Sequence, residues 1–397
     1  MLKAVIFDMD GVIIDSEPMH AKAGVLALKE FDVDISVQYC YGFIGTTTYR
    51  MCQQMVHDFD LQNTPEELLK VNLEMKKLLL KTEGYPAIPS ITDLIKNLHD
   101  NGMKLIIASS SPPEAIEYVM NTLKINEYFE GYVSGSHVKN PKPAPDIFLA
   151  AAKKLHLLPE ECIVIEDSAN GIYAACAANM PCIGFINPNS GKQDLSKASM
   201  LVEGFEEVDY PFIRDVYNRY HKIPCTILDT DRLVIRELSM EDFDAIYAFY
   251  TEPDTARYLS GFSHNQETEQ EKLQAYIHNI YPLYGYGLWG VYLKDSMKLI
   301  GRCGIEQSGI DGNAEYEIGY LIGKQYRHKG YGYESSHAVL HHFFNKYSVP
   351  RIIAVIDKDN IESIRLAESL GMKYTGDTLR NNRSNFLYAM NRGDLTL

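Results

Sequence analysis

The stretch that most restricts this chain is its first. Lys3-Ala-Val-Ile-Phe7 carries an unbroken apolar run, too short for a lone helix, and Asp8-Met-Asp10-Gly11 follows directly. Such a run reads as a strand buried on both faces. Asp8 then stands at the strand's carboxyl end, where ligands bind in open parallel sheets because the chain reverses there and leaves a crevice. A turn at Gly11, which tolerates unusual dihedrals, lets Asp8 and Asp10 aim into that crevice together. Two such carboxylates suit a hard cation, with one attacking as a nucleophile and the other moving a proton. An isolated Asp-x-Asp is also an ordinary solvated loop cap, so the rest of the chain decides.

At 397 residues the chain is long enough for two or three domains, each with its own core. Its apolar content of 46% and charged content of 23% are those of a soluble globular protein rather than a disordered one. A formal charge of −15 argues against broad affinity for nucleic acid or anionic membranes, so an anionic substrate needs local help from a metal ion or a few basic residues. The seven cysteines are scattered and form no Cys-x-x-Cys pair, which suggests reduced thiols rather than a disulfide framework or zinc knuckle. With neither a secretory signal pattern nor an apolar run of membrane-spanning length, the expected location is cytoplasmic.

From Pro18 to about Leu80 the pattern is helical, with Thr64 as N-cap and Pro65 at the first helical position of one segment. A helical insertion after the first strand would sit over the carboxylate crevice as a lid. Strand and helix then alternate. A helix from Ile91 ends at Asn101-Gly102, and a second buried strand, Lys104 to Ala108, runs into Ser109-Ser110-Ser111-Pro112. Hydroxyls and backbone N–H groups at a strand end make a phosphate cradle, although Ser before Pro is also an everyday helix cap. In Asn140-Pro-Lys142-Pro-Ala-Pro145 the prolines fix the backbone around one lysine, a preordered cation for an anionic site. Cys162-Ile-Val-Ile165 is a further buried strand and delivers Glu166 and Asp167 to the same edge.

These four motifs, in this order, resemble the haloacid dehalogenase superfamily and within it the phosphatases and phosphomutases related to β-phosphoglucomutase. The resemblance spans residues 1 to about 205. It implies a Rossmann-like parallel sheet with a helical cap at about residues 16–85, Asp8 as nucleophile forming an aspartyl phosphate, and Asp10 as general acid and base. It further implies Mg²⁺ held by Asp8, the Asp10 carbonyl, Glu166 and Asp167, with Ser109 and Lys142 on the transferring phosphoryl group. Retention of Asp10 favours phosphate chemistry over dehalogenation, which has no leaving alkoxide to protonate. The mutase's lid arginine has no match in Gly45-Thr46-Thr47-Thr48, because Thr48 cannot form a bidentate phosphate contact. A phosphatase is therefore expected ahead of a phosphomutase. The Pro-Gly before the next helix has become Pro89-Ser90, and His20 matches a residue near the lid hinge.

The first pattern runs out between Val202 and Arg214, which bounds a domain at 1–220 and starts a second at 226–397. A strand Leu233–Arg236, a helix after Ser239, a hairpin turning at Asp295-Ser296 and a strand Glu315–Ile322 follow. That last strand feeds Gln325-Tyr-Arg327-His-Lys-Gly330-Tyr-Gly332, whose glycines at the mouth of a helix let a pyrophosphate approach open N–H groups. From Leu228 to the ending Leu370-Gly-Met-Lys-Tyr374 the sequence resembles the GNAT superfamily of N-acetyltransferases, an α+β fold with a mainly antiparallel sheet. By that resemblance acetyl-CoA's pyrophosphate sits on the backbone of Arg327, His328, Lys329, Gly330, Tyr331 and Gly332, and Asn360 contacts the pantetheine arm. Ser363 or Tyr374 protonates the departing thiolate, and Glu317 is a candidate base for the incoming amine. His337 and His341 have metal-ligand spacing but lack the Glu of a metalloprotease helix, so they read as packing residues. Trp289 and the tyrosines from Tyr281 to Tyr292 suit an acceptor pocket or simply a core.

The expectation is a fused bifunctional enzyme. One half is a Mg²⁺-dependent phosphatase on a small phosphorylated metabolite; the other is an acetyl-CoA-dependent N-acetyltransferase acting on a small amine or peptide N-terminus. The alternatives are a phosphomutase, or one active enzyme regulated by a ligand-sensing partner domain.

Overall fold

The computed structural model describes residues 1–43, 46, 48–259, 261–310, 312–380 and 383–394. The chain forms two compact units, Met1–Tyr220 and His221–Leu397.

In the first unit six parallel strands form one sheet: β1 (Ala4–Phe7), β2 (Lys104–Ser109), β3 (Tyr132–Ser134), β4 (Cys162–Glu166), β5 (Cys182–Phe185) and β6 (Met200–Val202). Their order is β3-β2-β1-β4-β5-β6. The chain winds outward through β2 and β3, then returns to place β4 on the other side of β1. That reversal makes the β1–β4 junction the switch point where a crevice opens. All four residues of β1 are buried because helices cover both faces. Val5 and Phe7 face the helices Ile91–Asp100, Pro113–Leu123 and Tyr210–Tyr220, while Ala4 and Ile6 face Asp146–Lys154 and Ala169–Ala177.

Between β1 and β2 the chain builds a helical cap from Glu17–Lys29, Val37–Tyr41, Thr48–Asp58 and Pro65–Thr82. The last of these starts with a capping box. Thr64 Oγ1 accepts from the Glu67 N–H at 3.3 Å, and Glu67 accepts from the Thr64 N–H at 3.0 Å. Gly45 and Thr47, in the stretch read as lacking the mutase arginine, lie outside the described residues.

The second unit holds an eight-stranded sheet: β7 (Thr226–Asp229), β8 (Leu233–Arg236), β9 (Leu288–Leu293), β10 (Leu299–Ile310), β11 (Asn313–Ile322), β12 (Arg351–Asp357), β13 (Lys373–Arg380) and β14 (Arg383–Asn391). The order is β13-β14-β12-β11-β10-β9-β8-β7, antiparallel except for β11 and β12. Those two pair only at Glu317↔Ile353 and separate beyond it, which opens a cleft inside the sheet. The helix Tyr331–Lys346 follows β11 and lays Val339, Leu340, Phe343 and Phe344 into a core with Ile305, Ile318, Ile352 and Ala354.

Candidate functional sites

At the carboxyl edge of the first sheet, pairing of β1 with β4 sets Asp8 beside Glu166 and Asp167, and the Asp8 N–H donates to the Ile165 carbonyl at 3.0 Å. Lys142, from the proline-rich loop, enters from the other side. Its Nζ donates to Asp8 Oδ1, to Glu166 Oε1 at 2.7 Å and to the Ala108 carbonyl at 3.3 Å. The ammonium also lies 4.9 Å from the centroid of the Phe148 ring. Beyond the turn, Asp10 Oδ2 accepts from Ser111 Oγ at 2.7 Å and from Ser109 Oγ at 3.4 Å. Ser111 therefore serves Asp10 rather than the helix that follows, whose N-cap Pro112 receives no side-chain bond.

One lysine cannot balance this many carboxylates out of water. Burial, and then Glu166, Asp167 and Asp10, hold the Asp8 carboxyl well above the usual carboxylate range despite Lys142. Asp167 is pushed up to about 7, chiefly by burial and the neighbouring Glu166 charge. Excess negative charge of this kind is what a hard divalent cation neutralises. The turn is fitted to one of these carboxylates, since a Cβ on Gly11 would meet Asp167 Oδ2 at 2.0 Å and only glycine lets it lie there. The donor set thus fits Mg²⁺, with one revision. The sequence places Glu166 among the cation's ligands, but its Oε1 is taken by Lys142 and its Oε2 by the N–H (2.7 Å) and Oγ (2.9 Å) of Ser168. Among the described residues no three metal-ligating side chains converge. Asp8, Asp167 and the Asp10 main-chain carbonyl are the oxygens left to meet a cation, and Glu166 is a positioning residue for Lys142.

Several groups here escaped the sequence reading. Asn187 Nδ2 donates to the Gly11 carbonyl at 2.9 Å and Ser190 Oγ donates to Asp167, so the loop after β5 braces both the turn and the carboxylate. From the cap, Lys76 Nζ sits 3.2 Å from His20 Nε2, and burial lowers its ammonium from the usual lysine range against the opposing charges of Asp10 and Glu17. Burial and that ammonium lower His20 to about 4, so its imidazole is neutral at pH 7. The motif around β1 announces Asp8; nothing in a helix sixty residues later announces Lys76.

In the second unit the cleft between β11 and β12 has a volume of about 910 Å³, and Arg327, His328, Gly330, Gly332, Asn360, Ser363 and Glu317 line it. Gly330, at φ +83°, turns the chain into the helix Tyr331–Lys346, and the first N–H groups of that helix have no partner within it. The Arg327 guanidinium braces the loop by donating to the Ile322 carbonyl at 3.0 Å and Thr255 Oγ1 at 2.8 Å. Lys329 and Tyr331 are not among the residues lining the cleft; the Lys329 carbonyl accepts from Arg232, whose guanidinium lies over the Tyr331 ring. Asn360 Oδ1 caps its helix by accepting from the Ser363 N–H at 3.2 Å.

Two assignments change. Tyr374 is half exposed on β13, gives its hydroxyl to Asp377 at 2.8 Å and does not line the cleft, which removes it as a donor to a thiolate there. Glu317 has both carboxylate oxygens in the fork of Arg380, one of them at 2.7 Å. Trp289, Tyr281 and Tyr292 are core residues. The His337 and His341 rings lie 4.4 Å apart on one helix face, tilted by 43°.

Comparison with known proteins matches each half to a family model. Residues 5–185 match the haloacid dehalogenase-like hydrolase family and residues 232–373 the acetyltransferase (GNAT) domain. The fructose-1-phosphate phosphatase YqaB of Escherichia coli is 32% identical over 179 residues, 45% of this chain and 94% of that protein. A phosphorylated carbohydrates phosphatase of Thermotoga maritima is 29% identical over 52% of this chain and 96% of its own length. An acetyltransferase of the GNAT family from Bacillus anthracis, known as a crystal structure, covers 42% of this chain and 98% of its own at 24% identity and a TM-score of 0.37. Both halves are thus built as enzymes. The chain belongs to the haloacid dehalogenase-like hydrolases through its first half and carries a GNAT acetyltransferase domain in its second.

Proposed function

We propose that residues 1–220 form a Mg²⁺-dependent phosphatase for a small phosphorylated sugar or polyol, and that residues 226–397 form an acetyl-CoA-dependent N-acetyltransferase. The observation that carries the first half is the meeting of Asp8, Asp10, Ser109 and Lys142 at one sheet edge. Phosphoryl transfer asks mainly for in-line positioning and neutralisation of spreading charge, which this group supplies. Asp8 Oδ attacks phosphorus and the ester P–O bond breaks, while Asp10 gives its proton to the leaving alkoxide. Asp10 then takes a proton from the water that attacks the aspartyl phosphate, releasing phosphate and restoring Asp8. Ser109 Oγ and Lys142 Nζ steady the phosphoryl oxygens throughout. Asp8, Asp167 and the Asp10 carbonyl would hold Mg²⁺, which would supply the remaining positive charge that lets the two carboxylates ionise.

Lys76 and the neutral His20, paired on the cap, would meet the hydroxyls of the substrate's body, and the curated sugar-phosphate relatives support that class. In the second half, the cleft between β11 and β12 takes the pantetheine arm and the turn from Arg327 to Gly332 takes the pyrophosphate. The test is a panel of sugar, polyol and nucleotide monophosphates assayed for phosphate release with Mg²⁺ and with chelator, beside thiol release from acetyl-CoA with a panel of amines. Release that needs Mg²⁺ and favours sugar or polyol phosphates upholds the first half. Isomerisation of a hexose phosphate without net release would turn it to a phosphomutase.

A further inference from the structure

A second cavity, of about 490 Å³, abuts the cleft of the acetyltransferase unit and is lined by Glu306, Ser308, Glu317, Gly319, Leu379 and Arg380 among others. It shares Glu317, Gly319 and Arg380 with the larger cleft, so the two spaces meet at one wall. Glu306 on β10 and Glu317 on β11 are direct cross-strand partners, which puts both carboxylates on the same face of the sheet. Their engagements differ. Glu317 is clamped by the Arg380 fork, and Arg380 also donates to Ser308 Oγ at 2.9 Å. Glu306 has no ion-pair partner among the described residues. Its Oε1 accepts one hydrogen bond, at 2.7 Å, from the phenol of Tyr276. That phenol oxygen itself accepts from the Leu288 N–H at 2.7 Å, which commits the hydroxyl proton to Glu306. Burial, and then the Glu306 charge, push ionisation of Tyr276 far above its ordinary range, so it stays a donor.

We propose that this second cavity admits the acceptor amine and that Glu306, not Glu317, receives its ammonium group and takes its proton, with Tyr276 as the residue that positions Glu306. The inference rests on the acetyl-transfer reading above. A primary amine of ordinary basicity is an ammonium ion at pH 7 and must lose a proton before it can attack. A carboxylate whose oxygens are both in an arginine fork has little capacity left for a second cation, whereas Glu306 keeps an oxygen without a cationic partner. In the reaction the ammonium gives one proton to Glu306 and the freed nitrogen lone pair attacks the thioester carbonyl carbon. Collapse then breaks the C–S bond, and the nitrogen's second proton leaves to make the thiol on the departing thiolate. The proton on Glu306 returns to solvent, so the balance is one amide, one thiol and one proton. The substrate class is a small primary amine whose neighbourhood is neutral or cationic, since the negative charge of Glu306 disfavours an acceptor carrying a carboxylate beside its nitrogen.

The experiment compares wild type, Glu306→Gln, Glu306→Asp, Tyr276→Phe and Glu317→Gln in the full chain. Thiol release from acetyl-CoA is measured with aliphatic diamines, amino sugars, amino alcohols and α-amino acids, and acetyl-CoA binding is read separately as a thermal shift. The expected result is a fall of ~10²- to 10⁴-fold in kcat/KM for the amine in Glu306→Gln, the usual reach of a proton acceptor, with the acetyl-CoA thermal shift retained. Glu306→Asp recovers part of the loss. Tyr276→Phe moves the acidic limb of the pH profile to higher pH, because a carboxylate stripped of its donor binds protons more tightly. Undiminished transfer by Glu306→Gln, or a larger loss in Glu317→Gln, overturns the proposal while acetyl transfer stands. An acetyl-CoA thermal shift without transfer from wild type to any amine overturns the transferase reading and this inference together.

Discussion

Lys142 Nζ lies 2.7 Å from Glu166 Oε1, with both side chains almost sealed from water. Without the lysine, Asp8 and Glu166 would face each other unneutralised in the interior, and breaking a buried pair in this way costs about 3–5 kcal/mol. Lys142→Met is expected to abolish phosphate release and to lower the denaturation midpoint of the first unit by a corresponding amount. Lys142→Arg should not restore activity, since a guanidinium is a wider, planar cation and the pocket is shaped around one ammonium. Denaturant titrations beside phosphate assays measure both effects.

Metal-free protein should lose stability as pH rises from about 4 to 7. The folded state holds Asp167 protonated up to about 7 whereas an unfolded aspartate ionises near 3.8. The folded state therefore binds more protons across that window, and stability falls with increasing pH. Mg²⁺ competes with that proton, so its stabilising effect should be small at pH 5 and large at pH 7.5. Melting temperatures with and without Mg²⁺ at both pH values provide the check.

Gly11→Ala should inactivate the phosphatase. The position has φ +87°, and the added methyl would fall 2.0 Å from Asp167 Oδ2. Either the turn or the carboxylate must move, and the proposed cation site rests on both. The readout is the Mg²⁺ concentration needed for half-maximal activity, expected to rise steeply or never to be reached.

Ser90 offers the opposite case. It stands where the resembled family has glycine and adopts φ +61°, a left-handed conformation that costs a non-glycine residue roughly 1–2 kcal/mol, and its side chain makes no capping bond. Ser90→Gly should leave stability unchanged or raise it by up to ~1 kcal/mol, glycine's greater freedom in the unfolded chain offsetting part of the gain. Chemical denaturation reads the difference, and a clear loss would mean that the Ser90 side chain is held by its surroundings.

These cases mark what the sequence could convey. Asp8, Ser109 and Asp167 were legible because each follows a buried apolar run, and a parallel sheet brings such ends to one edge. The capping box at Thr64 and Glu67 was legible because it is local. Lys76, Asn187 and Ser190 were not, since their places depend on how a cap and a distant loop fold back. Tyr374 was misread for a related reason: it lies beside a register irregularity in β13, and the strand turns its ring onto Phe386 and Tyr388 instead of the cleft. The Arg380 clamp on Glu317 joins residues 63 positions apart and left no local trace.

The most direct test is phosphate release from the best monophosphate by wild type and Asp8→Asn with saturating Mg²⁺. The substitution removes a charge that burial and three neighbouring carboxylates disfavour, and Lys142 keeps Glu166 as its partner, so the variant should still fold and its melting temperature can confirm that. Release that disappears in a folded Asp8→Asn protein is the predicted outcome. Release at a wild-type rate would contradict an aspartyl-phosphate route and, with it, the reading of the whole first unit.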